Sequence, residues 1–250
     1  MKLSVAIITY NEERNIRRCL SSVAKWADEI VVVDSFSTDQ TRAICEEFGA
    51  RFIQHPFEGH IQQKNYALQQ CNGQWILSID ADEAPDEKLA SSIQQAITEC
   101  SFGGYRMNRL TNYCGQWVHH CGWYPDTKLR LVQNGKAAWQ GVNPHDRLEM
   151  LDRSTTGWLN GDLLHYSYYT REDHLRQIEY FGNIASKALY DQGKKVGWPL
   201  VCVKVMVQFI KSFIIKSGWR DGRTGWNIST LSAYATWRKY TKLKALWNTP

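Results

Sequence analysis

Four apolar segments near the amino terminus, each followed by a stretch with helical periodicity, most strongly limit how this chain can fold. The segments span residues 3–9, 29–34, 50–54 and 74–80. A strand, a helix and a second strand in this order form a right-handed crossover with parallel strands and a helix on the sheet face. We therefore predict an α/β fold with a mostly parallel sheet and helices on both faces.

Acidic side chains follow three of these predicted strands. Glu12 comes after the first, Asp34 ends the second, and Asp80 and Asp82 end the fourth. Because ligands bind beyond the carboxyl ends of parallel strands, these residues are candidates for one site. Asp80 and Asp82 are two residues apart, so they would point the same way and could share a divalent cation with a diphosphate. Each acid taken alone is more typical of a turn or helix cap.

The sequence also limits how a nucleotide would be held. It contains neither the Gly-x-Gly-x-x-Gly dinucleotide fingerprint nor the Gly-x-x-x-x-Gly-Lys-Ser/Thr phosphate loop. We therefore expect carboxylates to hold the base and ribose and a metal ion to bridge the phosphates. The seven cysteines include no Cys-x-x-Cys pair, and we interpret them as reduced thiols in a cytosolic protein. The apolar run at 3–9 is too short for a signal peptide and is better explained as a strand.

The carboxyl-terminal part of the chain is basic and rich in tryptophan. From Lys187 onward the formal charge is +10, whereas the first 186 residues carry −5. Residues 200–216 have helical periodicity with a narrow polar stripe, which is too interrupted for a spanning segment and typical of a helix in a bilayer interface. Five tryptophans accompany this segment: Trp198, Trp219, Trp226, Trp237 and Trp247. We predict association with an anionic membrane surface; packing against the domain or a dimer partner is the alternative, and nucleic acid is disfavoured.

Four motifs in chain order resemble the family 2 glycosyltransferases of the GT-A fold. They are Thr-Tyr-Asn-Glu-Glu at 9–13, Val-Asp-Ser-Phe-Ser-Thr-Asp at 33–39, Lys-Asn at 64–65 and Asp-Ala-Asp-Glu at 80–83. The second departs from the commoner Asp-Asp-Gly-Ser-x-Asp and is similar to the branch that contains the lipopolysaccharide core β-1,4-glucosyltransferases. Further similarity to that branch lies at 123–131, 145–146, 165–168 and 216–222.

The resemblance implies a role for individual residues in binding a UDP-sugar donor. The implied donor-binding residues are Thr9, Tyr10, Glu12, Asp34, Lys64, Asp80 and Asp82. Tyr10, Glu12 and Asp34 would contact the uracil and ribose, and Asp80 would hold the ribose side. Lys64 would lie near the base or the phosphates. Asp82 would bind Mn²⁺ or Mg²⁺, with His165 as a second ligand; a buried structural histidine is the alternative for His165.

An inverting transfer needs a carboxylate that takes the proton from the attacking acceptor hydroxyl. Asp146 is our candidate for this base by its position in the family pattern, with His145 orienting the base or the acceptor. Glu149 and Asp152 are the alternative carboxylates.

These patterns together predict that the chain divides into two regions. Residues 1–170 would form a GT-A catalytic domain, with 1–100 binding the nucleotide-sugar and 101–170 supplying the acceptor side and the base. Residues 171–250 would form a helical, membrane-associating extension. The predicted function is inverting, metal-dependent transfer of a hexose, most simply glucose, from UDP to a lipid-linked acceptor such as the lipopolysaccharide inner core, on the cytoplasmic face of a bacterial inner membrane. The rivals are a catalytically silent UDP-sugar-binding scaffold and a sugar nucleotidyltransferase.

Overall fold

The computed structural model describes residues 2–142, 145–152 and 155–248, except for the side chains of Val142 and His145. The chain divides into two compact units. The first comprises Met1–Arg109 and Asp126–Tyr166, and the second comprises Leu110–Pro125 and Ser167–Pro250. The predicted division of the chain at residue 170 stays a prediction; the second unit joins 110–125 to 167–250.

The first unit is built on a mixed sheet. The elements that lie in this unit or begin in it are β1 (Leu3–Thr9), α1 (Ile16–Val23), β2 (Glu29–Asp34), α2 (Thr41–Glu47), β3 (Arg51–Gln54), α3 (His60–Gln69), β4 (Trp75–Asp80), β5 (Glu83–Pro85), α4 (Glu87–Glu99), β6 (Gly104–Tyr113), β8 (Asp126–Gln133), β9 (Ala137–Val142), β10 (His145–Met150) and β11 (Thr156–Tyr168). The last residues of β6 and β11 belong to the second unit, and β9 and β10 pair as a separate two-stranded sheet. A short strand, β7 (Gln116–Trp117), lies between β6 and β8 in the sequence and pairs with β6.

The strand order explains why the parallel half of the sheet was predictable. The order is β3-β2-β1-β4-β8-β6-β11-β5. The four strands predicted from the alternating pattern, β1 to β4, pair in parallel, which confirms the predicted α/β fold. Beyond β4 the pairing of β4 with β8, of β8 with β6 and of β11 with β5 is antiparallel. Between α4 and β11 the described chain contains no helix to make parallel crossovers, so these strands pair antiparallel.

Alternate side chains of the central strands enter two apolar clusters on opposite faces of the sheet. On β1, Val5 and Ile7 pack into the cluster that includes Leu20 of α1. Ala6 packs into the other cluster, with Leu68 of α3. Strands that are buried on both faces have continuous apolar sequences, and β1, β2 and β4 have this pattern. This packing fixes the strand register and with it the position of each strand's carboxyl end.

The second unit contains three long helices: α5 (Arg171–Asp191), α6 (Trp198–Ile210) and α7 (Gly222–Asn248). Helix α5 contacts α7 through Glu179, whose carboxylate accepts from Arg238 Nε at 2.6 Å and pairs with Lys242 Nζ at 2.7 Å. The ring of His174 packs against aromatic side chains of this unit, and its burial lowers the histidine pKa to about 4. The neutral ring therefore belongs to the unit's aromatic core.

Helix α6 presents an unusually apolar exposed surface. It continues with π-helical hydrogen bonding over Lys211–Ile215. Across the described chain, Trp198–Ile215 is the one helical segment long and apolar enough to cross a membrane by length and composition, and 11% of it is buried. Its large exposed side chains are Trp198, Leu200, Val203, Met206, Val207, Ile210, Ile214 and Ile215. A helix stabilised only by intramolecular packing would bury this face.

Candidate active site

The parallel register brings three of the predicted motifs to one edge of the sheet. Thr9 at the end of β1 is paired with Asp34 on β2. On the other side of β1, Ile8 is paired with Asp80 at the end of β4. The carboxyl ends of β2, β1 and β4 are therefore adjacent, as the sequence analysis expected of strands in a parallel sheet.

The loops after β1 and β2 are tied to each other by hydrogen bonds. Asn11 donates its backbone N–H to Ser37 Oγ at 2.7 Å, and its side-chain oxygen accepts from Thr38 N at 2.8 Å. Asn11 has φ of +52°, a left-handed conformation that asparagine tolerates well. Asp34 is fully buried and accepts from both the backbone N–H and the hydroxyl of Ser37. Asp34 therefore orders this loop, while the ring of Tyr10 beside it is 60% exposed.

Glu12 has a strongly perturbed acidity. Burial raises its pKa to about 7, against the opposing effect of a hydrogen bond from the Asn15 amide at 2.7 Å. The negative charges of Asp82, Asp39 and Asp80 raise it further. The edge of the sheet thus concentrates negative charge in a partly desolvated space, which a cation or hydrogen-bond donors on a ligand would relieve.

Asp82 and His165 form the pair expected to bind a metal ion. His165 Nε2 lies 3.2 Å from Asp82 Oδ2. The contact follows from strand pairing, because His165 on β11 is registered with Glu83 on β5 and Tyr166 N donates to Asp82 O at 2.9 Å. Burial would raise the pKa of Asp82, but the contact with His165 outweighs it and leaves the pKa below its usual value.

Lys64 connects Asp80, which is predicted to lie on the donor side, with Asp146, the predicted base. Its ammonium lies 3.0 Å from Asp80 Oδ1 and 2.8 Å from Asp146 Oδ2. The side chain is 9% exposed and passes over the Trp139 ring at 4.2 Å. Asn65, the next residue on α3, hydrogen-bonds both backbone polar groups of Trp139, which fixes α3 against β9. The sequence analysis named Lys64, Asp80 and Asp146 separately and did not predict that one ammonium would join them.

A network of buried charges supports this arrangement. Arg130 on β8 donates from Nη2 to Glu83 Oε1 at 2.8 Å and to Asp80 Oδ2 at 3.2 Å, and Arg109 on β6 also donates to Glu83. Glu83 in turn accepts from the backbone N–H of Asp80 at 3.0 Å. Burial would raise the pKa of Asp80, but attraction to Lys64 and Arg130 holds it well below its usual range. Asp80 is therefore ionised and fixed in position before any ligand arrives.

The roles of Arg109 and Glu83 were missed by sequence reasoning. Glu83 stood inside a quoted motif without a role of its own, and Arg109 was not named as a site residue. No local pattern indicated that β8 inserts next to β4, which is what brings Arg130 to Asp80. The sequence did contain one signal of this contact, because Arg130 is a single basic residue within an otherwise apolar run at 129–132.

A cavity of about 710 Å³ opens beside Lys64, Asp80 and Asp146. Glu149, one alternative for the base, also lines the cavity, but its side chain is 45% exposed and lies 3.6 Å from Arg147. Asp146 is 11% exposed and lies 2.8 Å from Lys64, so its carboxylate is held more firmly than that of Glu149. His145 is the residue before Asp146 on β10, and its side chain lies outside the described residues.

No group of three or more His, Cys, Asp or Glu side chains placed to hold a metal ion is found within the part of the chain that the structure describes. Asp82 and His165 nevertheless fit a divalent ion of the kind that keeps most of its ligands as water and substrate phosphates. An imidazole and a carboxylate already in contact offer two such protein ligands, and the diphosphate of a bound nucleotide would supply others.

Comparison with known proteins identifies the family of this chain. Residues 4–193 match the family described as glycosyl transferase family 2. This chain belongs to glycosyltransferase family 2. An uncharacterised glycosyltransferase of Rickettsia prowazekii is 31% identical over 256 residues, covering 98% of this chain and 87% of the relative. The lipopolysaccharide core biosynthesis glycosyltransferase LpsC of Rhizobium meliloti is 26% identical and covers 90% of this chain and 85% of the relative.

Among solved structures, this glycosyltransferase is similar to S. aureus TarS 1-349 in complex with UDP-GlcNAc. The TM-score is 0.49 at 17% identity, with 99% of this chain and 91% of the other covered. Family membership confirms the predicted enzyme class. It leaves the roles of the individual site residues as predictions.

Proposed function

We propose that this enzyme is an inverting, metal-dependent hexosyltransferase that moves a sugar from UDP to a lipid-linked glycan such as the lipopolysaccharide inner core. The observation that carries the proposal is the contact of Lys64 with both Asp80 and Asp146. A donor-side carboxylate and a candidate base are thereby held on the two sides of one cation. LpsC, similar over most of the chain, supports the choice of acceptor through its name.

Donor binding would use the edge formed by β2, β1 and β4. Glu12 and Asp34 lie on the nucleoside side, and Asp80 and Asp82 lie where the ribose and the diphosphate would follow. Asp82 and His165 would hold Mn²⁺ or Mg²⁺. Such an ion, when bound, neutralises the charge that develops on the departing diphosphate.

The base would be Asp146. The acceptor hydroxyl loses its proton to an Asp146 oxygen while its own oxygen forms a bond to the anomeric carbon. The bond from that carbon to the phosphate oxygen breaks on the opposite face, and its electron pair leaves with UDP, so the configuration inverts. Lys64 and Arg130 lie next to Asp80, where their positive charges would stabilise the negative charge that develops on the departing UDP.

A screen of UDP-sugars with a truncated lipopolysaccharide as acceptor tests this proposal. We expect one donor to yield free UDP and glycosylated acceptor in equal amounts with manganese, and neither product after chelation by EDTA. A sugar nucleotidyltransferase would instead release pyrophosphate from a nucleoside triphosphate. A silent scaffold would bind UDP with manganese but form no product with any donor, and either result would contradict the proposed reaction.

We also place the enzyme at the surface of an anionic membrane, on the cytoplasmic face. The exposed apolar side chains of α6 and its π-helical continuation include Met206, Ile214 and Ile215, which are 56%, 58% and 69% exposed. Lys204 and Lys211 interrupt the same segment, and basic residues near an anionic surface are worth about 1 kcal/mol each. A helix in the plane of the interface would bury the apolar atoms and leave the lysine heads with the phosphates.

Vesicle sedimentation tests this placement. We expect the wild-type enzyme to bind vesicles containing phosphatidylglycerol, and the double variant Ile214→Gln/Ile215→Gln to bind about 10-fold or more weakly, because two side chains lose their burial in lipid. Leu151→Gln, which alters an equally exposed leucine in the first unit, should bind as the wild type does. Equal binding by all three proteins would contradict the placement, as would retention of the wild type after an alkaline wash, which indicates a spanning helix.

A further inference from the structure

The cavity beside Asp146 is unusually rich in basic residues. Its described lining includes six cationic side chains and three carboxylates. The cations are Lys64, Arg106, Arg109, Lys128, Arg130 and Arg147. An excess of positive charge around a concave space raises the local concentration of anions and favours an anionic ligand.

Ion pairs with carboxylates neutralise only part of this positive charge. Arg106 is exposed and donates from Nε to Thr156 Oγ1 at 3.1 Å, with no ion pair to a carboxylate among the described residues. Arg147 is 77% exposed, and its ion pair among the described residues is with Glu149, at 3.6 Å. Lys128 pairs with Asp126 at 2.9 Å, but that carboxylate is shared with Arg109. The terminal nitrogens of both exposed arginines are therefore available to a ligand.

The buried part of the network is also short of acceptors. Arg130 is 3% exposed, and its Nε and Nη1 atoms are buried with no hydrogen-bond partner in the described part of the chain. Burying guanidinium N–H groups without acceptors is costly, because a charged donor loses its hydration without compensation. Arg130 therefore keeps two N–H groups without acceptors among the described residues, although Glu83 and Asp80 balance its charge.

The position of the cavity indicates which substrate meets this charge. Asp146, the candidate base, lines it, whereas the nucleoside-side residues Tyr10, Glu12 and Asp34 are absent from its described lining. The space therefore extends from Asp80 past the base, toward the side from which the acceptor hydroxyl must approach. The donor's diphosphate is expected at the other end, near Asp82.

We propose that the acceptor carries a phosphate or carboxylate group near the reacting hydroxyl, and that Arg106, Lys128 and Arg147 bind this group in the cavity. This inference rests on the proposed function, since it takes Asp146 as the base. Arginine suits such a role because its planar guanidinium can donate two parallel hydrogen bonds to one anionic group. The subsite selects acceptors by charge and places the hydroxyl beside Asp146.

Kinetics with a matched series of acceptors tests the subsite. The probes are a truncated lipopolysaccharide, the same material dephosphorylated with hydrofluoric acid, and the same material with its carboxyl groups reduced. We expect Arg106→Gln and Arg147→Gln each to raise the KM for the untreated acceptor about 10-fold, as the loss of a charge-assisted hydrogen bond predicts. The KM for the donor should stay unchanged. Arg17→Gln, which removes the same charge from an exposed site on α1, should leave both values unchanged.

The arms of this experiment separate the possible sources of the anion. If the group is a phosphate, dephosphorylation removes the difference between wild type and variants; if it is a carboxylate, reduction removes it. Wild-type transfer that is equally efficient with all three acceptors overturns the subsite, as does a rise in the donor KM in the arginine variants. The proposed function fails differently, because an enzyme that binds no UDP in the presence of manganese would refute it whatever the acceptor.

Discussion

Asp146→Asn is expected to lower kcat by about 10²–10⁴-fold, the usual contribution of a general base. Asparagine has nearly the same shape but cannot accept the proton from the acceptor hydroxyl. Lys64 keeps its contact with Asp80 in this variant, so the donor side should change little. The measurement is UDP release at saturating donor and acceptor, together with calorimetric titration of UDP, whose affinity should be close to that of the wild type.

Glu149→Gln provides the matched control. Glu149 lines the same cavity and loses the same charge, but it is half exposed and paired with Arg147. We expect its kcat to remain near the wild-type value. Full activity in Asp146→Asn with a large loss in Glu149→Gln would show that the base had been assigned to the wrong carboxylate.

Asp82→Asn is expected to have the second large effect, a loss of about 10³-fold in kcat/KM, because a metal ion at a departing phosphate contributes several kcal/mol. The variant loses the carboxylate that meets His165 at 3.2 Å, so both the predicted ligands would be affected. The activity that remains should be nearly insensitive to EDTA. Initial rates over a range of manganese concentrations measure both quantities.

His165→Gln distinguishes the two interpretations of that histidine. If His165 is a metal ligand, the variant should need a higher manganese concentration for half-maximal activity. If His165 is a structural residue, the variant should have lower thermal stability and an unchanged manganese dependence. Glu46→Gln, which alters an exposed carboxylate on α2, is the control for the loss of negative charge in Asp82→Asn. An Asp82→Asn enzyme with wild-type manganese dependence would exclude Asp82 as a ligand.

Much of the parallel half of the sheet was predictable from local sequence. The apolar runs of β1, β2 and β4 have the length and composition of strands buried on both faces, and each ends at or just before a polar motif. The rule that parallel strands share one carboxyl edge then placed Asp34 near Thr9 and Asp80 near Ile8. Periodicity and a topological rule together were sufficient for this part.

The antiparallel half was not predictable in the same way. Within residues 104–168, β8 and β11 pair with strands that are distant in sequence, and no local signal specifies that β8 pairs with β4 or that β11 pairs with β5. Those pairings bring Arg130 to Asp80 and His165 to Asp82. The charged contacts of the site depend on non-local pairing, so sequence reasoning found the residues but not their contacts. The resemblance to family 2 enzymes supplied Asp146, which no pattern in the residues alone would have singled out.

The account depends most directly on the binding of UDP together with a divalent ion at Asp82. Isothermal titration of the wild-type enzyme with UDP, in the presence and in the absence of manganese, measures this binding. We expect one UDP bound per chain with manganese, much weaker binding after chelation, and no difference between the two conditions in Asp82→Asn. Equal affinity of the wild-type enzyme for UDP with and without manganese, or no binding in either condition, would contradict the account.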